Sequence, residues 1–143
     1  GCDIIFAAAG KTGEGGLAAA AEQDKFAIGV DSDQDWIQPG HVVTSMLKNV
    51  DQVIFNKITE LSEGRLQSNI EHYGLAEGLV GSTWLYNPDP TFKEYGPQDM
   101  VDQMPGIIAK VEEAVAKIKA GEFCVTDYME VFPCDNPPPE GGM

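Results

Sequence analysis

Residues 7–16 read AAAGKTGEGG, and three ligand-binding chemistries compete for them. A phosphate-binding P-loop needs Gly-x-x-x-x-Gly-Lys-Ser/Thr, so that glycines let consecutive amides curl around the anion. Gly10-Lys11-Thr12 supplies the end of that motif, but the first glycine falls on Ile5, and the NTPase reading fails. Gly13-x-Gly15-x-x-Ala18 satisfies the dinucleotide fingerprint, with Asp31 18 residues past Gly13 at the end of the next apolar segment. Its first glycine should turn directly out of a strand. Here Ala7 to Thr12 intervene, which puts the match off register. The third reading is a loop at a strand end, where glycines keep side chains away so that a flat ligand can press against backbone. Further along stand the carboxylates Asp31, Asp33 and Asp35 and the amine of Lys48. Asp33 and Asp35 read as solvated loop acids.

The elements that must position these groups follow from periodicity. CDIIFAAA is a short apolar run rich in β-formers and reads as a buried parallel strand. GGLAAAAEQDK supplies a helix whose alanines let it lie close to a sheet, and FAIGVD a second buried strand. This β-α-β order predicts a parallel sheet with a ligand crevice at the carboxyl ends of its strands. After a polar loop ending in Pro39-Gly40, HVVTSM reads as a third strand. From Leu47 to Glu63 the apolar residues Leu47, Val50, Ile54, Ile58 and Leu61 recur at helical spacing, with Gly64 placed as the cap. Residues 66–86 read as two short strands broken at YGLAEG, with Leu79, Val80, Trp84 and Leu85 as core candidates. NPDPTFKEYGP carries too much proline for regular structure. A long amphipathic helix is expected over about 98–120, with Pro105 in a first turn or at a break, because proline deeper inside costs about 3 kcal/mol. Residues 1–123 thus form one domain, and 124–143 an extended proline-rich tail.

Composition excludes several classes. A net charge of −14 repels phosphate backbones, so nucleic acid is not an expected partner. No apolar run reaches the ~20 residues a membrane helix needs, and no basic-then-apolar leader is visible. Cys2, Cys124 and Cys134 show no metal-ligand spacing and read as unpaired small hydrophobes, although Cys124 and Cys134 could bridge a loop in an oxidising compartment. His41 and His72 sit in strand-like contexts and read as structural. Trp84 reads as core, and Trp36 as core or an aromatic platform. No catalytic acid, base or nucleophile motif occurs, and neither cofactor nor metal is called for.

In order, DIIFAAAGKTGEGG, AIGVDSDQDWIQPGHVVTSMLKNVD and YGLAEGLVG resemble the carboxyl-terminal part of the basic membrane protein family. These are lipoprotein substrate-binding components of ABC importers, and they include purine nucleoside receptors. The resemblance covers about residues 1–121. It implies an α/β fold of the type I periplasmic-binding-protein kind, two lobes of parallel sheet flanked by helices closing on a ligand. Only the later half is represented, so the two-lobe fold is incomplete. A missing amino-terminal lobe or a second chain is the expected partner, since an uncovered sheet position leaves apolar surface bare. By the same resemblance Asp31 grips ribose hydroxyls, Lys48 at the start of a crossing helix donates to ribose or base, Gly10 packs against the nucleobase, and Thr12 adds a hydroxyl. Lys11 stands where many relatives have glycine. The implied protein is not an enzyme: it captures a nucleoside for an ABC permease outside the cytoplasm, in the periplasm or lipid-anchored to the membrane. Cys2 has the look of a lipidated cysteine, but a strand begins at once. The rival readings are an NAD-dependent oxidoreductase fragment and a ligand-sensing regulatory domain of the same fold.

Overall fold

A computed structural model describes residues 1–87 and 90–122. It divides into two compact units, Gly1–Met104 and Pro105–Met143. The tail from 124 onward, with Cys124 and Cys134, lies outside the described residues.

The first unit is built on a four-stranded sheet in the order β1 (Ile4–Phe6), β2 (Phe26–Gly29), β3 (Val42–Lys48), β4 (Val80–Ser82). β1, β2 and β3 run parallel, and β4 closes the row antiparallel. The expected β-α-β unit is present: helix α1 (Gly13–Glu22) connects β1 to β2 and buries Leu17 and Ala20 against Ala27 and Val42, with Ile5, Ala7 and Ile37 around them. Gly13 opens α1 because a Cβ there would sit 2.6 Å from the Ala7 carbonyl oxygen, a close approach only glycine tolerates. The helix ends in a Schellman motif. Lys25 N–H bonds to Ala20 O at 2.8 Å and Asp24 N–H to Ala21 O at 3.1 Å, with Asp24 in the left-handed conformation.

Helix α2 (Val50–Ser62) ends the same way: Arg65 N–H reaches Glu60 O, Gly64 N–H reaches Leu61 O, and Gly64 takes a φ of 69°. Its start differs from expectation, since Leu47 and Lys48 are the last residues of β3. They pair with Gly81 and Val80, and this cross-strand ladder overrides their place in the helical pattern. The two strands expected over 66–86 reduce to β4, followed at once by the short helix α3 (Thr83–Tyr86). Of the expected core there, Leu79 is buried while Val80, Trp84 and Leu85 are half-buried. The proline-rich segment holds one turn of helix, α4 (Thr91–Tyr95), anchored by fully buried Phe92 edge-on to Phe26. The expected long helix breaks at Asp102-Gln103 into α5 (Gln98–Val101) and α6 (Met104–Lys119), which places Pro105 in the first turn of α6.

β1 departs from the expected buried strand. It forms the sheet edge, and Ile4 and Phe6 are 45% and 54% exposed while Ile5 packs toward α1. α2 buries no residue; Val50, Ile54, Phe55, Ile58 and Leu61 are all exposed along it. Among the described residues no helix is long and apolar enough to cross a membrane.

Candidate ligand-binding site

Three parallel strands deliver their carboxyl ends to one edge of the sheet, and the four sequence-predicted site residues all lie just there. Gly10 and Thr12 bound a single 3-10 turn (Gly10–Thr12) after β1. Asp31 follows β2, and Lys48 ends β3 rather than opening a helix. Gly10 has a φ of 52°, and a Cβ there would meet nothing within 4 Å. Glycine is thus needed for the bend and not to relieve crowding. Gly10, Thr12 and the neighbouring Lys11 are exposed, and Lys11 reaches Glu14 at 2.8 Å.

Asp31 and Lys48 are brought together. Lys48 Nζ lies 2.8 Å from Asp31 Oδ1, and Lys48 N–H donates to the Asp31 carbonyl at 3.0 Å. Side chain and backbone of the same two residues are therefore joined twice. The pair remains open, with Asp31 50% and Lys48 55% exposed. Asp31 holds a φ of 70°, and Asp24 is the only other described non-glycine residue at positive φ. Asp24 is accounted for by the α1 cap, whereas Asp31 closes no helix. A left-handed residue outside a helix cap is uncommon, and aspartate is one of the few side chains that adopts it readily. Chemically, an ionised carboxylate accepts from two adjacent hydroxyls, and an ammonium with three N–H donors complements it. Lys48 also borders a shallow apolar cleft of about 230 Å³ lined by Val50, Val53, Tyr73, Leu79 and Val80. That is below the ~300–1,000 Å³ of a complete small-molecule pocket.

Asp35 corrects the expectation of a solvated loop acid: it is 1% exposed. Its Oδ1 accepts from Ser45 Oγ at 2.6 Å and its Oδ2 from Thr83 Oγ1 at 2.8 Å. Thr83 Oγ1 also accepts the Ser45 N–H at 3.1 Å and lies 2.8 Å from Thr44 Oγ1. A hydroxyl has one proton, and Thr83 gives it to the carboxylate, so Thr44 is the donor in that contact. Burial pushes the Asp35 carboxyl above its ordinary range, the two hydroxyls pull it back, and nearby Asp33 adds to the rise. Asp33 itself is exposed, as expected, and caps the Asp35 N–H at 3.0 Å. The signal for this network was available in VVTSM, where two hydroxyl residues interrupt an apolar strand.

Trp36 is no core residue. It is 68% exposed beside Asp33, with Nε1 donating to the Asp33 carbonyl at 3.0 Å. His41 is structural as expected, its Nδ1 donating to the Lys25 carbonyl at 3.0 Å. The dinucleotide fingerprint falls inside α1, since Gly13, Gly15 and Ala18 are all helical and leave no glycine turn for a pyrophosphate. Among the described residues no group of three metal-ligating side chains comes together.

Comparison with known proteins extends this arrangement. Over 58 residues the chain is 47% identical to Basic membrane protein D of Borreliella burgdorferi, covering 39% of this chain and 17% of that protein. Over 96 residues it is 37% identical to Basic membrane protein A of Borreliella afzelii, covering 62% of this chain and 28% of that protein. The matched stretches thus cover under a third of the length of these relatives. Among solved structures, ABC transporter solute-binding proteins from Aeropyrum pernix superimpose with a TM-score of 0.65 at 25% identity, over 90% of this chain and 42% of theirs. A transcriptional activator of the comK gene from Bacillus halodurans shares the fold, with a TM-score of 0.61 at 21% identity over 82% of this chain and 36% of its own. The model for PnrA-like ABC transporter substrate-binding proteins, Bmp, matches residues 1–114. With most of its length matched, the chain belongs to the family of PnrA-like ABC transporter substrate-binding proteins.

Proposed function

We propose that this chain contributes one side of the ligand cleft of an ABC importer's solute receptor, and that the solute is a nucleoside, purines foremost. The observation that carries the reading is Asp31, held left-handed at the tip of β2 and joined to Lys48 at the tip of β3. Asp31 grips the two ribose hydroxyls, Lys48 donates to ribose or base, and the Gly10–Thr12 bend offers bare backbone to the flat base. The remaining wall comes from an amino-terminal lobe. The length of the relatives supports this, as do the apolar surfaces left bare on α2 and the outer side of β1. Such a lobe covers Val50, Ile54, Ile58 and Leu61 in the closed receptor. Family membership supports delivery to a permease on the extracytoplasmic face, in the periplasm or from a lipid anchor.

The test is a thermal-shift panel of adenosine, guanosine, inosine, free ribose and NAD on a chain extended with an amino-terminal lobe. Saturating nucleoside should stabilise by several kcal/mol, about 2.7 kcal/mol at a hundredfold excess over Kd. Asp31→Asn should weaken binding at least tenfold. A panel in which another solute class raises the melting point and nucleosides do not would refute the reading. In the 143-residue chain alone nucleoside binding should be weak, because half the cleft is missing.

A further inference from the structure

We propose that Asp35 is the positioning residue of this site: its buried carboxylate clamps the 30–35 loop onto β3 and the start of α3, and so aligns Asp31 with Lys48. The inference rests on the reading that Asp31 and Lys48 meet the ligand, but the clamp itself is argued from other contacts.

Neither member of the pair is held by burial, since both are half-exposed. The loop between β2 and β3 must therefore be fixed from below. Four residues beyond Asp31, Asp35 accepts from Ser45 on β3 and from Thr83 on α3. Three residues beyond Ser45 on the same strand stands Lys48. One carboxylate thus ties together the two segments that carry the pair. Inside the loop Gln34 locks the turn twice, its Oε1 accepting the Val30 N–H at 2.8 Å and its own N–H donating to Ser45 Oγ at 3.0 Å. Gly29 makes room for this, since a Cβ there would stand 2.5 Å from Ser45 Oγ and 2.9 Å from Gln34 Cβ.

Both hydroxyls commit their single proton to Asp35, and Thr83 Oγ1 also fills both of its acceptor sites. Ser45 Oγ accepts from Gln34 and donates to Asp35, while Thr83 Oγ1 accepts from Ser45 N–H and Thr44 and donates to Asp35. An amide in place of the carboxylate presents one acceptor where two are required, so whichever hydroxyl its NH₂ faces is left with a buried proton that has no acceptor. Asp35→Asn is nearly isosteric, yet it breaks the clamp.

Residue-resolved hydrogen exchange on the 143-residue chain reads the clamp directly. In Asp35→Asn and in Thr83→Val, the amides of Val30, Gln34 and Lys48 should exchange at least tenfold faster. Those of Phe26 and Ala27, bonded to the Asp3 and His41 carbonyls, should stay within twofold. Thr83→Ser, which keeps the hydroxyl, should restore the wild-type pattern. Uniform acceleration at all five amides, or an unchanged Lys48 amide, overturns the proposal. Should both variants fail to fold, the wild type in mild urea decides: the clamp requires Val30, Gln34 and Lys48 to lose protection in one shared opening, and separate openings refute it. Adenosine affinity of the lobe-extended chain is read separately. An affinity within twofold in Asp35→Asn despite a loosened loop removes the positioning role. Absence of adenosine binding in the wild type removes the ligand reading instead, and leaves the alignment of Asp31 with Lys48 to stand on the exchange data.

Discussion

Thr83→Val is the sharpest probe of the buried network, because it deletes one hydroxyl and almost no volume. Three partners lose a contact: the Asp35 carboxylate loses a donor, and the Ser45 N–H and Thr44 hydroxyl lose their acceptor. Thr83, Asp35 and Ser45 are each at most 2% exposed, so water does not substitute. Neutral bonds of this kind contribute about 1 kcal/mol each and a bond to a charged group about 1.5–3 kcal/mol, giving a loss of roughly 3–5 kcal/mol. Against a typical domain stability of about 5–15 kcal/mol that is a large fraction. Urea titration at pH 7 measures it, with Thr83→Ser as a control costing under ~1 kcal/mol. The loss must also depend on pH in a definite sense. The folded-state pKa of Asp35 is raised above its ordinary value of 3.8, so its contribution is fully present below 3.8 and is lost as pH rises through the raised value. Removing a donor to the ionised form raises that value further. The Thr83→Val deficit should therefore shrink by about 1 kcal/mol on acidification from pH 7 toward 4, as the charged bond becomes a neutral one. A deficit under ~1 kcal/mol at pH 7, or one that grows in acid, refutes the reasoning.

Three further outcomes are expected. Asp31→Asn and Lys48→Met should each change urea stability by less than ~1 kcal/mol, because a half-exposed ion pair contributes little and asparagine tolerates the left-handed backbone; a larger loss would mean that the pair is structural. Gly40→Ala should cost more than ~2 kcal/mol in the same assay, since Gly40 has a φ of 84° and a Cβ would lie 2.4 Å from the Tyr95 carbonyl oxygen; near-neutrality would count against the packing of α4 on that loop. Light scattering across a concentration series should show the 143-residue chain self-associating through α2 and Phe55→Ser/Ile58→Ser suppressing it with unchanged circular dichroism; equal association in both would clear that face.

What was legible in the sequence is what short-range chemistry decides. Gly64 was readable as a cap because a left-handed residue ending a helix strongly favours glycine, and Pro105 as a first-turn residue or a break because its ring is not tolerated deeper in a helix. The β-α-β order followed from apolar runs alternating with an alanine-rich segment. What sequence misassigned was decided by contacts across the sheet. Leu47 and Lys48 fit the helical stripe of α2, yet pairing with β4 claims them for β3. Ile4 and Phe6 look like a buried strand because their composition anticipates a covering layer that no described residue supplies. Asp35 was misread for a related reason. An acid in SDQDW looks solvated until Ser45 and Thr83, distant in sequence, close around it. Resemblance pointed to Asp31, Lys48 and Gly10, of which the first two are joined in the structure, whereas the frame beneath them was not legible.

On the proposed reading, a division of labour between these carboxylates follows from their burial. Asp31 sits in a conformation that costs about 1–3 kcal/mol for a residue with a side chain, and such strain persists only where surrounding structure over-determines it. The ion pair with Lys48 is too exposed to supply that restraint. Bonds made at depth supply it instead, through Asp35, Ser45 and Thr83, none of which need touch a ligand. Exposed charge can then be given over to recognition, because a group whose contribution to folding is small can exchange its protein partner for a hydroxyl at small expense in stability. A site that relied on Asp31 both to fold the loop and to bind would lose one role whenever it performed the other.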